Sequence, residues 1–140
     1  MRKEIVLLNK NGVNFILAAS FCWLIITVLW TSSLSSGELV LYSFMATMPM
    51  LPLAYALGKL FNTSWKIEHN KLNDLGLWLN MAQLFYFPLL FVVISKDPKD
   101  LPMALGIITG AHFFPYAWFY QTKAYAVFAG LIAIGAALIP

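Results

Sequence analysis

Charged residues are scarce in this sequence: nine Lys and Arg and six Asp and Glu make up 11% of its 140 residues. Soluble domains carry roughly 25%. Hydrophobic residues reach 61%, and the mean hydropathy is +0.76. A soluble domain of this length has too little interior to bury so much apolar surface. The composition therefore predicts a protein that has lipid as the solvent around much of its surface.

Cysteine pairs and catalytic motifs are also missing. Cys22 is the only cysteine, which excludes an intrachain disulfide. The sequence contains no H-E-x-x-H, no G-x-S-x-G and no phosphate-binding glycine loop. Glu68 and His69 have no further His or Cys nearby, so this pair is typical of a solvated surface. We therefore predict a protein that is not an enzyme and that binds no cofactor and no metal.

Long apolar stretches recur along the chain, separated by short polar segments. A helix that crosses a bilayer needs roughly 20 mostly apolar residues. We predict an all-α bundle of about five transmembrane helices, which forms a single transmembrane domain over residues 1–140. The predicted helices are 13–33, 39–61, 75–95, 102–121 and 124–140.

Local signals indicate where these helices begin and where they bend. Asn73 and Asp74 are suited to cap the third helix, and Asp100 and Pro102 are suited to open the fourth. Proline inside a helix removes a backbone hydrogen bond and causes a kink. Prolines of this kind are Pro49, Pro52, Pro88 and Pro115.

The positive charges alternate between the loops. The N-terminal segment and the four connections contain 3, 0, 3, 2 and 1 Lys or Arg in chain order. Loops rich in Lys and Arg stay in the cytoplasm. The N-terminus is therefore predicted to be cytoplasmic. These cations are spread over several loops, so we expect the lipid bilayer and no nucleic acid as the partner.

Polar residues occur near the middle of the predicted helices. Because polar groups facing lipid lack hydrogen-bond partners, we expect them to face one another. Asn80 and Gln83 share one face of the third helix, and every third or fourth residue from Thr109 to Tyr120 forms a polar face on the fourth. The candidate midplane site consists of His112, Gln83, Asn80, Thr47, Thr109 and Tyr116.

His112 is the one ionisable residue deep within a predicted span. Burial disfavours its charged form, so we expect a neutral imidazole. Three roles remain open: a histidine that joins helices by hydrogen bonds, a solute or ion site, and a contact with a partner protein. No Asp or Glu lies within the predicted spans to accompany it in a proton relay.

Small residues follow a four-residue spacing in the last two predicted helices. Gly106 and Gly110 form a G-x-x-x-G step, and Ala126 with Gly130 repeats the spacing. Such spacing allows helix backbones to approach closely. We predict that these helices pack tightly against each other or against another subunit, as a homo-oligomer or with another membrane protein.

The sequence from Ala111 to Tyr120 reads A-H-F-F-P-Y-A-W-F-Y and is followed by Lys123-Ala124-Tyr125. It resembles a family of small bacterial multi-pass membrane proteins of unknown function that carry an A-H-F-x-P-Y-x-W-x-Y motif. The resemblance implies a bacterial inner membrane location but no activity, substrate or cofactor. It also implies that relatives continue to a sixth helix, so this chain is expected to be a shortened form.

The sequence thus favours a non-enzymatic multi-pass membrane protein whose polar midplane cluster serves helix packing or partner binding. The alternative is a small transporter or channel-like protein with a midplane solute or proton site at His112.

Overall fold

A computed structural model describes residues 1–64, 67 and 69–138. These residues are helical or lie in turns and loops, and none of them is in a β-strand. Within these ranges eight α-helical segments follow one another, and the elements are α1 (Arg2–Leu8), α2 (Val13–Trp30), α3 (Ser36–Thr47), α4 (Met50–Leu60), α5 (Leu72–Leu84), α6 (Phe87–Lys96), α7 (Leu101–Phe119) and α8 (Lys123–Ala137).

Three helices are long and apolar enough to cross a bilayer. They are Lys10–Trp30, Ser36–Leu60 and Leu72–Lys96, as judged by length and composition over the described residues. The second consists of α3 and α4, and the third consists of α5 and α6. The predicted fourth and fifth helices correspond to α7, which has 19 residues, and to α8, which has 15. Within the predicted fifth helix, Ile139 and Pro140 lie outside the described residues.

Both breaks in the long helices fall at prolines. The helix ends at Thr47 and resumes at Met50, after Pro49. The second break separates Leu84 from Phe87, and Pro88 opens the new segment. Proline supplies no amide to continue the hydrogen-bond ladder, which favours a break at these positions. Pro115 lies inside α7, and the helix continues through it to Phe119.

The observed helix starts agree with the predicted ones at α7 and differ at α5. Helix α5 begins at Leu72, two residues before Asp74, and the Leu72 amide donates to the Asn70 side chain at 3.1 Å. Asp100 occupies the N-cap position of α7 and Pro102 lies in the first turn, as predicted, although the Asp100 side chain makes no capping hydrogen bond. A further cap, which the sequence analysis did not predict, lies at α3, where the Ser35 side chain and Glu38 cap the helix reciprocally. A cap depends on backbone geometry as well as on residue type, which is why the sequence placed the start of α5 a few residues away.

The chain divides into two compact units, Leu7–Ile67 and Met1–Val6 with Glu68–Pro140. In the first unit, α2 packs against α3 and α4. Every fourth residue of α2 from Asn14 to Ile26 is buried and forms one stripe. The Asn14 amide donates to the Ala54 carbonyl at 3.0 Å, and the Trp30 indole donates to Ser43 Oγ at 2.9 Å.

The second unit is organised around α7. Helix α8 packs against most of the length of α7, and α5 and α6 also contact α7. The side chains of Leu90 and Leu101 are fully enclosed, with 0% and 1% exposure. Residues 2–6 of the short helix α1 belong to the same unit, and Ile5 among them is also fully buried.

Candidate functional site

The polar face predicted on the fourth helix lies on α7. The rings of His112 and Tyr116 meet edge to face, with centroids 5.3 Å apart. One turn earlier, the Thr109 hydroxyl donates to the Leu105 carbonyl of its own helix at 2.8 Å. The structure therefore gives His112 an aromatic neighbour on the same helix, because residues four apart on a helix lie one above the other.

Tyr116 is the centre of an aromatic cluster that joins α7 to α8. Its ring centroid lies 5.7 Å from Tyr120, 5.9 Å from Phe119 and 5.9 Å from Tyr125 on α8. Tyr120 and Tyr125 stack at 5.5 Å. Offset and edge-to-face contacts of this kind stabilise by about 0.5 to 1.5 kcal/mol each beyond their buried area. We call the rings of Phe113, Tyr116, Phe119, Tyr120 and Tyr125 the aromatic cluster.

The Tyr116 hydroxyl is a buried polar group without a hydrogen-bond partner among the described residues. The whole side chain is only 8% exposed. A buried hydroxyl without a partner costs about 1 to 3 kcal/mol. This oxygen therefore has the capacity to donate or accept a hydrogen bond with a further group.

The predicted polar face of α5 meets α7 at one place. A methyl group added at Gly76 would lie 3.0 Å from Phe119 Cζ, so the two helices touch there. Helix α7 returns antiparallel after the Leu72–Lys96 helix. Gln83 is seven residues after Gly76, and His112 is seven residues before Phe119, so each is about 10 Å from this contact. Gln83 and His112 are thus each about two helical turns from this contact along their own helices.

Local hydrogen bonds occupy other members of the predicted site. The Asn80 amide donates to the Gly76 carbonyl at 3.0 Å, and its side chain is exposed. Thr47 belongs to the other compact unit, where its hydroxyl donates to the Phe44 carbonyl at 2.7 Å. Among the described residues, no three His, Cys, Asp or Glu side chains are grouped so that they could hold a metal ion.

The small residues of α7 meet α8 at Gly110. A methyl group there would come within 2.7 Å of the Ala133 backbone nitrogen and 2.9 Å of the Ala129 carbonyl oxygen. Gly106 is buried in the same helix. At Gly130 a methyl group would meet nothing within 4 Å, and Ala126 is half-buried. Close contact between the backbones therefore occurs at Gly110 and not at Gly130.

Three features of the structure were missed by sequence reasoning. Asn14 and Ser43 are buried polar residues that join helices. The other two features are at the N-terminus, where Arg2 stacks on Trp118 and Asn70 binds Glu4. A polar residue near the start of an apolar stretch, such as Asn14, was the only signal in the sequence, and it is equally typical of a solvated helix end.

The comparison with known families covers the whole chain. A family model described as a family of unknown function (DUF7010) matches residues 1–140. The chain belongs to this family. Membership in DUF7010 covers both compact units and assigns no activity to either of them. No curated protein and no solved structure matches the chain.

Proposed function

We propose that this member of DUF7010 is a non-enzymatic multi-pass protein of the bacterial inner membrane. In this proposal five helices span the bilayer, the N-terminus is cytoplasmic, and the His112 face of α7 serves helix packing and the binding of a membrane partner or a second copy. Three helices with the length and composition of spanning segments support the membrane location.

The proposed packing role of His112 rests on its contact with the aromatic cluster. Its imidazole meets Tyr116 at 5.3 Å, and Tyr116 in turn contacts Tyr125 of α8. The side chains of Thr109 and Asn80 bond to their own helices. Thr109 and Asn80 are thereby satisfied locally, and rings and small residues make the contacts between α7 and α8. Such an arrangement favours a structural role over a solute pathway.

Replacement of His112 tests this role. We expect His112→Leu to lower the melting temperature in detergent, because the aromatic contact is worth about 0.5 to 1.5 kcal/mol and a branched aliphatic side chain does not reproduce it. Thermal unfolding followed by tryptophan fluorescence measures the effect. His69→Asn, at the other histidine of the chain, is the control, since His69 is exposed and Asn tolerates its φ of 63°.

A rise in the melting temperature of His112→Leu, with His69→Asn unchanged, would contradict the structural role. Functional polar groups are often retained at a cost in stability. That outcome would support the alternative of a small transporter or channel-like protein.

The Tyr116 hydroxyl is the observation that favours this alternative. It is buried and has no partner among the described residues, and the ring of His112 lies beside that of Tyr116. A solute or proton site needs unsatisfied polar groups of this kind. The test is dissipation of a pH gradient in proteoliposomes, where a transporter predicts flux that is lost in His112→Leu and a packing role predicts no flux in either protein.

A further inference from the structure

Two contacts bring together the segments that carry four cations, at one end of the unit that contains α7. Asn70 donates to the Met1 carbonyl at 3.0 Å and to Glu4 Oε2 at 2.8 Å, which holds the N-terminal segment beside the start of α5. Asn70 is itself 5% exposed. These contacts bring Lys3 near Lys71, which directly follows Asn70.

A second contact brings the end of α7 to the same place. The Arg2 guanidinium carbon lies 4.5 Å from the centre of the Trp118 ring. A cation over an indole is stabilised by about 0.5 to 1 kcal/mol at an exposed site. Lys123 follows five residues later at the start of α8. We call Arg2, Lys3, Lys71 and Lys123 the cationic cluster.

The cluster is accessible and is only partly compensated by acids. Lys3, Lys71 and Lys123 are exposed, and Arg2 is half-buried against Trp118. Two acids lie near it among the described residues, Glu4 and Asp74. The carboxylate of Glu4 already accepts a hydrogen bond from Asn70. Positive charge therefore dominates this end.

The opposite end of α7 differs in charge. Lys96 and Lys99 alternate there with Asp97 and Asp100. The Asp97 carboxylate accepts the Lys99 amide at 2.9 Å. Helix α7 has 19 residues, which corresponds to about 28 Å between its ends. The unit thus carries an excess of positive charge at one end and balanced charge at the other.

We propose that the cationic cluster is a binding site for the phosphate headgroup of an anionic phospholipid such as phosphatidylglycerol. This proposal rests on the proposed membrane location. Arginine offers a planar donor fork that matches phosphate oxygens, and stacking on Trp118 holds that fork in place. Lysine residues add charge attraction. Trp118 is 54% exposed, and tryptophan favours the headgroup level of a bilayer.

The test is a lipid titration of the purified full-length chain in uncharged detergent micelles. The midpoint of thermal unfolding is followed as phosphatidylglycerol is added, because a ligand of the folded state stabilises it by RT ln(1 + [L]/Kd), so the rise with lipid concentration yields the apparent Kd. Phosphatidylcholine and inorganic phosphate are titrated in parallel. The variant Lys71→Gln/Lys123→Gln is compared with the matched control Lys96→Gln/Lys99→Gln, which removes the same number of charges at the balanced end.

We expect phosphatidylglycerol to raise the midpoint more than the other two probes. Each lysine at a lipid surface contributes about fivefold to binding, so the Lys71/Lys123 double variant should weaken the apparent Kd for phosphatidylglycerol about thirtyfold. The control should stay within about twofold, because its charges are more than two Debye lengths from the cluster. Equal losses in both variants would overturn the proposal.

The parallel probes separate the sources of phosphate. Stabilisation by inorganic phosphate alone would assign the cluster to a soluble anion, and equal stabilisation by phosphatidylcholine would remove the role of charge; either result overturns the lipid site. Flotation of the protein with alkali-washed vesicles tests the membrane location by itself. A protein that floats but ignores phosphatidylglycerol refutes only the lipid site, whereas a protein that does not float refutes the proposed function.

Discussion

Gly110 is a residue at which α7 and α8 approach closely. An added methyl group would lie 2.7 Å from Ala133 N and 3.0 Å from Ala133 Cβ. Backbone atoms cannot move aside as a flexible side chain can. We therefore expect Gly110→Ala to destabilise the protein by about 1 to 3 kcal/mol, the usual cost of overpacking. Chemical denaturation in detergent, followed by tryptophan fluorescence, measures this loss.

Gly130→Ala is the matched control on the facing helix. A methyl group there meets nothing within 4 Å. Alanine also favours a helix interior over glycine by up to about 1 kcal/mol. The control should therefore be neutral or more stable than the parent. A Gly110→Ala protein as stable as Gly130→Ala would show that the two helices separate easily in solution.

At the residue scale, the sequence located polar side chains better than it located their partners. The spacing of Thr109, His112 and Tyr116 predicted one face of a helix, and all three residues lie in α7. The spacing did not predict that the Thr109 hydroxyl bonds to the Leu105 carbonyl of its own helix. Threonine in a helix can bond to the backbone four residues back as well as to a neighbouring helix. The aromatic stacking of Tyr116 on Tyr125 depends on the packing of α8 and had no signal in α7 alone.

At the element scale, helix breaks were predictable and short helices were not. Proline removes an amide regardless of context, so Pro49 and Pro88 marked both interruptions of the long helices. Helix α1 has only seven residues. An isolated helix of that length is not stable, so its formation depends on tertiary contacts such as the burial of Ile5.

A buried hydrogen bond connects the elements of the first unit. The Asn14 amide of α2 reaches the Ala54 carbonyl of α4. We expect Asn14→Leu, which keeps the volume, to destabilise by about 0.6 kcal/mol and at most roughly 1.7, as interhelical hydrogen bonds in membranes do. The shift of the denaturation midpoint of the purified protein measures the loss.

Thr27→Val is the isosteric comparison on the same helix. The Thr27 hydroxyl bonds to the Trp23 carbonyl of α2 itself, and its side chain is exposed. Its removal breaks no contact between helices, so the midpoint should change little. Equal losses in the two variants would mean that Asn14 contributes nothing specific to the pairing of α2 and α4.

At the scale of the whole molecule, charge and contacts point to the same organisation. The alternation of Lys and Arg predicts that residues 1–12 and 59–74 lie on the cytoplasmic side. Within one unit, Asn70 bonds to Met1 and Glu4. Within the other, Lys10 donates to the Phe61 carbonyl at 2.7 Å. In each unit, part of the N-terminal segment therefore lies beside the second cation-rich loop. This agrees with the prediction, because the two predicted spans between these segments return the chain to the side on which it began. Lys66, in that loop, lies outside the described residues.

Labelling with a membrane-impermeant maleimide tests this orientation in intact cells. Cys22 is buried and is the only cysteine, so a Cys22→Ala background serves for single-cysteine variants. We expect Ser33→Cys and Lys99→Cys to react from outside, and Lys3→Cys and His69→Cys to react only after the cells are opened, because loops rich in Lys and Arg are retained in the cytoplasm. Reaction of all four in opened cells is the internal control for accessibility. Labelling of Lys3→Cys from outside would invert the predicted orientation, and it would place the cationic cluster on the outer face, where a headgroup site would meet the outer leaflet instead.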